Sequence, residues 1–475
     1  MSSLPHDCHG LYETMFKRVE EQNQFSPKLA VMALTWLSYG QRPMTALELQ
    51  HALAVKAGKG SLDVENLVDV EEVISVCGGL LAVTAESKLI TFIHTTAEKY
   101  FRDQRETRMA TGQVAIASAC LTYLCFDCFA DGRCANDEAL QRRLKRHPFL
   151  DYASHFWGTH TQAVSPAEVA DPALKRLTHD GKVSSCSQVM LLPDSHTPYS
   201  SKRYPEDISG LHLVAYFDIR WLARLILERG SDICVRDSWG RDPLAWAVAY
   251  NNLRMARFLL DFGADIELKD KQGRTHLALA AMSGHRDIAD DLLIHGADPS
   301  VRDSAGETAL SLAATHGHLL LVALLLGIPN CEVDSRDEFG RTALFCAADQ
   351  GHDDIVACLA AQASVDINAQ DNMGTTPLIT SARRGRTEVV KMLLKQTSIL
   401  PNMKDRSGRT AIMWAAIDGQ LEVLQILLSR EDAIEALKSA DYSGRSPLEW
   451  AITLNQVSIQ ELISSRVRVG DSLNE

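Results

Sequence analysis

Residues 270–298 read DKQGRTHLALAAMSGHRDIADDLLIHGAD, and residues 303–326 repeat the pattern as DSAGETALSLAATHGHLLLVALLL. Both open on Asp-x-x-Gly, carry Thr two residues later, and pass through a short Leu/Ala stretch, a Gly-His pair and a longer apolar stretch. That order predicts a turn, a capped short helix and a second helix. The opening marker recurs at Asp237/Gly240, Asp270/Gly273, Asp303/Gly306, Asp337/Gly340, Asp371/Gly374, Asp405/Gly408 and Asp441/Gly444, with glycine spacings of 33, 33, 34, 34, 34 and 36. Ser209, Leu211, His212 and Ala215 carry a degenerate earlier copy, so eight units run from about residue 205 to 470.

Within each unit the residue types have separate physical jobs. Thr275, Thr308, Thr342, Thr376 and Thr410 stand where a hydroxyl caps the first helix, and Asp242 takes that place in the second unit. Ala280/Ala281, Ala313/Ala314, Ala347/Ala348 and Ala415/Ala416 let neighbouring first helices approach closely. Leu259/Leu260, Leu292/Leu293, Leu325/Leu326, Leu393/Leu394 and Leu427/Leu428 supply an apolar side that only adjacent units can bury. Gly230, Gly263 and Gly296 follow the second helices, where a left-handed C-cap costs least. On these residues each unit resembles an ankyrin repeat. His285, His318 and His352, one per unit after a glycine, read as local hydrogen-bonding and capping residues.

The preceding chain is a different domain. Residues 27–39 are helical in spacing, Thr45 and Glu48 form a capping box for a second helix over 43–54, and Val68, Val70, Val73 and Ile74 mark a third. Residues 80–84 and 89–94 alternate like a hairpin. Three helices and a hairpin predict a winged helix. With Phe92, Ile93, His94, Thr95, Thr96, Ala97, Glu98, Tyr100 and Phe101, it resembles the winged-helix module that follows the NTPase domain in fungal NACHT-ankyrin signalling proteins. The resemblance implies an upstream phosphate-binding loop, but the sequence holds no G-x-x-x-x-G-K-S/T, and the expectation is a derivative without the NTPase domain. The expected class is therefore mainly α: a winged helix over 10–105, accessory helices over 106–160, a proline-bearing linker over 161–204 with Pro166, Pro172, Pro193 and Pro198, and a solenoid over 205–470.

Composition narrows the function. Of 475 residues, 46% are hydrophobic and 23% charged, and 48 Lys plus Arg against 61 Asp plus Glu leave a net charge of -13. That balance repels nucleic-acid phosphate. The candidate recognition segment, residues 63–76, holds Asp63, Glu65, Asp69, Glu71 and Glu72 without Lys or Arg, which disfavours DNA binding. No apolar run is long enough for a membrane span, and no signal peptide is evident, so a cytoplasmic or nuclear location is expected. The cluster Arg142, Arg143, Lys145 and Arg146 reads as a solvated helix face. Among 11 cysteines, Cys120, Cys125, Cys128 and Cys134 read as core thiols rather than zinc ligands, and no cofactor or metal is expected.

The resemblance to ankyrin repeats implies a concave groove lined by turn tips and inner-helix ends. The candidate partner-binding residues are Phe217, Trp239, Arg241, Tyr250, Arg274, His316, Phe339, Arg341, Asp349, Arg383, Arg384, Arg406, Arg409, Tyr442 and Arg445. Aromatics with arginines suit another protein that presents an acidic and partly apolar segment. The expected function is a non-enzymatic scaffold or regulator, in its most specialised form a transcription coregulator of a fungal biosynthetic pathway. The alternative is an enzyme or small-ligand carrier using the groove or the interdomain cleft, which would require Cys346, His316 and Asp349 to converge in a deep pocket.

Overall fold

The computed structural model describes residues 6–21, 26–84, 86–192, 205–329, 331–430 and 433–472, which are mainly helical. The chain divides into two compact units, one comprising 1–247 with 254–263, the other 248–253 with 264–475.

The first unit opens with α1 (His6–Glu20), α2 (Ser26–Tyr39), β1 (Met44–Thr45), α3 (Ala46–Ala54), α4 (Val70–Val76), β2 (Leu81–Val83), β3 (Leu89–Phe92) and α5 (Thr95–Arg108). The capping box forms as expected: Thr45 Oγ1 accepts from the Glu48 N–H at 3.3 Å, and Glu48 Oε2 accepts from the Thr45 N–H at 2.7 Å. The hairpin β2–β3 gains a third antiparallel strand, in the order β1-β3-β2 with Met44 opposite Ile90. Two residues are too few to show alternation, so β1 left no sequence signal. Asp63, Glu65, Asp69, Glu71 and Glu72 are all exposed in and before α4, giving this helix an acidic face.

Five further helices follow: α6 (Gly112–Leu124), α7 (Asp137–Arg146), α8 (Phe149–Gln162), α9 (Pro166–Leu177) and α10 (Asp180–Met190). The last two occupy most of the stretch expected to be a linker. Pro166 starts α9 at a position where its missing N–H costs nothing, while Pro172 inside the helix removes only one backbone bond. Burial of Val169, Ala173, Leu174, Val183, Cys186 and Val189 then outweighs that loss. Pro193 and Pro198 lie outside the described residues. The first repeat, α11 (Gly210–Tyr216) and α12 (Arg220–Glu228), packs directly on α9. A side chain at Gly210 would meet the Leu177 carbonyl oxygen 2.4 Å away. The second repeat contributes α13 (Pro243–Ala249) and α14 (Leu253–Asp261).

In the second unit, the inner helices His276–Ser283, Ala309–Thr315, Ala343–Gln350, Pro377–Arg383, Ala411–Ile417 and Pro447–Thr453 pack each against the next. Thr275, Thr308, Thr342, Thr376 and Thr410 each accept the expected capping bond, at 3.2 to 3.4 Å. The Asp of each turn folds the loop over its own carboxylate: Asp337 Oδ1 accepts from the N–H of Phe339 at 2.9 Å and of Arg341 at 2.8 Å. The residue after that Asp donates to the preceding turn, as Asn372 N–H does to Phe339 O at 2.8 Å and Arg406 N–H to Met373 O at 2.9 Å. Before the last repeat the longer interval holds an added helix, Ala433–Lys438, while Glu431 lies outside the described residues.

The histidines differ from expectation. Standing before their outer helices, His285, His318 and His352 make no side-chain capping bond. Their Nε2 atoms instead meet the carbonyls of Ala249 (3.3 Å), Met282 (3.2 Å) and Thr315 (3.2 Å), at the end of the previous repeat's inner helix. Arg386 Nε, Gln420 Nε2 and Gln456 Nε2 continue the series to Asp349 O, Arg383 O and Ile417 O. A helix end leaves carbonyls without partners, and any side chain with an N–H can serve them. That explains why the residue type changes while the position persists.

Glycine precedes five of the six bridging residues, and Asn455, also at positive φ, precedes Gln456. Gly284, Gly317, Gly351, Gly385 and Gly419 all have positive φ, and a Cβ on each would fall 2.4 to 2.8 Å from the next repeat's bridging side chain. Gly351→Ala should therefore cost about 2 kcal/mol, combining left-handed strain with displacement of Arg386. Gly296→Ala, at φ +94 with nothing within 4 Å, should cost about 1 kcal/mol from strain alone. Urea midpoints of the two variants check the difference, and equal losses would remove the bridge from the account.

Candidate functional site

The candidate residues fall into both units. In the first, Phe217 is half-buried. Its ring stands edge-on to Trp157 at 5.1 Å and lies where a Cβ on Gly158 would be, so α8 covers part of it. Trp239 and Arg241 are half-buried and stacked, with the guanidinium 5.1 Å from the indole.

In the second unit, two arginines are committed to their own turns. Arg274 Nε and Nη2 both donate to Asp270 Oδ2, at 3.0 and 2.9 Å, and its side chain is 17% exposed. Arg341 Nε donates to Asp337 Oδ2 at 2.6 Å. These arginines brace turns, and the pairing with the repeated aspartates explains them without a partner protein. Tyr250 is exposed.

What remains is concentrated in the later repeats. Phe339, Met373 and Tyr442 are 59%, 63% and 76% exposed at turn tips, and Arg406 is exposed at the tip between Met373 and Tyr442. The backbone bonds between successive turns hold these tips in a row. Behind them runs an alternating stack that the sequence reading missed. Arg383 lies 4.4 Å from the Trp414 ring centroid, Arg409 lies 4.9 Å from Trp414 and 4.7 Å from Trp450, and Arg445 lies 4.6 Å from Trp450. Each indole Nε1–H is anchored on the turn aspartate nine residues earlier, Trp414 on Asp405 at 2.8 Å and Trp450 on Asp441 at 2.9 Å. Trp246 does the same with Asp237 in the first unit. The signal was present as Trp recurring nine residues after the turn Asp.

The stack is partly neutralised. Arg383 Nε lies 3.4 Å from Asp418 Oδ2, and Arg384 Nε donates to Asp349 Oδ1 at 3.1 Å, where Thr380 Oγ1 also donates at 2.8 Å. Arg406 and Arg445, both exposed, form no ion pair among the described residues. The surface therefore presents apolar tips beside cations that retain unfilled donor capacity.

The three residues required for a catalytic reading each have other commitments. The Cys346 thiol is buried, and burial pushes its pKa up to about 11, which leaves the thiolate scarce at neutral pH. His316 Nδ1 lies 2.9 Å from the Leu312 carbonyl, and Asp349 is held by Thr380 and Arg384. Elsewhere, burial pushes the Cys77 thiol up to about 12, and Cys125 Sγ contacts the Pro172 carbonyl at 3.8 Å. Among the described residues no group of three His, Cys, Asp or Glu side chains is placed to hold a metal ion. Arg143 of the basic cluster donates to Gly132 O at 2.6 Å and Ser185 Oγ at 2.8 Å, while Arg142 pairs with Glu138. No helix among the described residues is long and apolar enough to cross a membrane.

Comparison with protein families matches residues 211–303, 310–405 and 396–471 to ankyrin repeats, in three copies that together cover more than half of the chain. Residues 18–125 match the family described as GPI inositol-deacylase, winged helix domain. No curated protein matches the chain.

Proposed function

Because the chain belongs to the ankyrin-repeat family, we propose that it is a protein-binding scaffold or regulator whose partner docks on the later repeats. The observation that carries this reading is the row of exposed Phe339, Met373, Arg406 and Tyr442 beside the Arg-Trp stack. Apolar tips offer anchor contacts, and guanidinium groups with free N–H forks pair carboxylates, so the matching partner segment is acidic and partly apolar. The acidic face of α4 favours docking of protein rather than DNA at the winged-helix-like region.

The finer reading is a coregulator in a fungal biosynthetic pathway, acting in the nucleus or cytoplasm. It is supported by the resemblance of residues 92–101 to fungal NACHT-ankyrin proteins and by the pairing of a winged-helix-like domain with ankyrin repeats. Fold analogy of this kind carries less weight than the surface itself. Affinity purification from the native host tests both levels. Arg406→Glu with Arg445→Glu should reduce recovery of the partner by about tenfold or more, since reversed charges repel an acidic segment. Unchanged recovery in this double variant, and in Arg383→Glu with Arg384→Glu, would sink the groove reading. Nuclear fractionation tests the coregulator reading separately.

A further inference from the structure

A cavity of about 650 Å³ opens in the first unit, where the end of α8 meets α12 and α14. Its walls hold Arg220, Arg224 and Arg254, with Asp218 as the acidic group among the lining residues. Such a concentration is anomalous on a chain whose net charge is -13. The arginines are also weakly satisfied. Arg220 Nε reaches Asp218 Oδ1 only at 4.0 Å, Arg224 lies 5.8 Å from the Phe258 and Phe262 rings, and Arg254 makes no ion pair among the described residues. Trp221 also lines the cavity.

These donors share one deficiency, an acceptor of concentrated negative charge. Three guanidinium groups against one carboxylate leave an excess of two positive charges, which matches the charge of about -1.5 to -2 on a phosphate monoester at neutral pH. Arginine forks bind phosphate oxygens in pairs. The volume falls within the usual range for small-molecule pockets, about 300 to 1,000 Å³, and so leaves room for an organic body beside the phosphate. Trp221 and Phe258 provide apolar wall for that body.

We propose that this cavity binds a small phosphate monoester, with Arg220, Arg224 and Arg254 holding the phosphate. Asp218 tempers the site. Burial raises its pKa while Arg220 and Arg254 lower it, and it occupies a left-handed backbone position, φ +54, that asparagine also tolerates. The site is independent of the proposed partner surface, since it uses none of the same residues.

Isothermal titration of the full chain with phenyl phosphate and with inorganic phosphate tests the assignment. Saturable binding of phenyl phosphate is expected with Kd between about 10 µM and 1 mM, weakening as salt rises. Arg254→Ala should weaken it by about tenfold or more without changing the thermal midpoint, because Arg254 is exposed and unpaired. Asp218→Asn should tighten binding severalfold, a gain that misfolding cannot imitate. The proposal is overturned by absence of binding up to about 10 mM, or by affinity unchanged in both variants. A phosphotyrosine peptide that binds more than about tenfold tighter than phenyl phosphate would also overturn the small-molecule assignment.

Discussion

Replacing Arg176 by methionine should raise the stability of the first unit by about 1 to 3 kcal/mol, although it deletes a charged residue. Arg176 is fully buried on α9, and none of its three guanidinium nitrogens has a hydrogen-bond partner among the described residues. Its compensation is the Trp157 face, 4.2 Å from the guanidinium carbon. A desolvated cation–π contact is worth about 2 kcal/mol, whereas removing an ion from water costs several kcal/mol. Ser154 Oγ and Trp157 Nε1 are buried and unpartnered as well. Methionine keeps the length and the contact with the ring while removing the charge. Lysine should be worse than arginine, because its ammonium is more strongly hydrated and lacks the flat face that stacks on Trp157. Urea midpoints for the three side chains check the order Met above Arg above Lys. A methionine variant less stable than wild type would show that the guanidinium carries a favourable partner in the core.

Arg176 also marks the limit of what could be read from residues in order. Lys175-Arg176 near the end of a helix looks like a solvated last turn, and only the packing of α6, α10 and α12 against α9, with Trp157 of α8 over the guanidinium, makes position 176 interior. The repeats were legible because their determinants are local: the Asp-x-x-Gly turn, the Thr cap and the Ala and Leu pairs act within a few residues. The bridging series from His285 to Gln456 was not, because each side chain meets a carbonyl 36 to 39 residues earlier, a separation at which position survives but chemistry varies. Helices α9 and α10 were hidden by proline, whose effect depends on its place in the helix rather than its frequency. At the candidate surface, residue types pointed correctly to exposure at Phe339, Arg406 and Tyr442. They could not separate those from Arg274 and Arg341, which stand in the same kind of turn, four residues after its Asp, but are consumed by Asp270 and Asp337. Nor could they place Phe217, whose open face in a free repeat is partly covered by α8.

Asp441→Ala should destabilise the terminal repeats by about 2 to 3 kcal/mol at neutral pH, more than any exposed change on the same surface. The Asp441 side chain is 1% exposed and collects five donors. Oδ1 accepts from Ser443 N–H (2.9 Å), Ser443 Oγ–H (2.6 Å) and Arg445 N–H (3.1 Å), and Oδ2 accepts from Trp450 Nε1–H (2.9 Å) and Arg409 Nε–H (3.2 Å). Alanine would orphan all of them and detach both Trp450 and Arg409 from the stack. Burial by itself would raise the Asp441 pKa, but the bonds from Ser443, Arg445, Trp450 and Arg409 override it and hold the carboxyl well below the usual carboxylate range. A folded-state pKa lower than the unfolded value of about 3.9 means that the contribution is complete above that pH and is lost as pH falls toward the folded value. The gap in urea midpoint between wild type and Asp441→Ala should therefore be widest at neutral pH and narrow progressively below about pH 4. Asp441→Asn should lie between the two at neutral pH, since its carbonyl keeps some of the acceptor role without the charge. A gap that stays constant from neutral pH down to about pH 2.5 would show that Asp441 acts through shape alone, and the charge-anchored Arg-Trp stack would lose its basis.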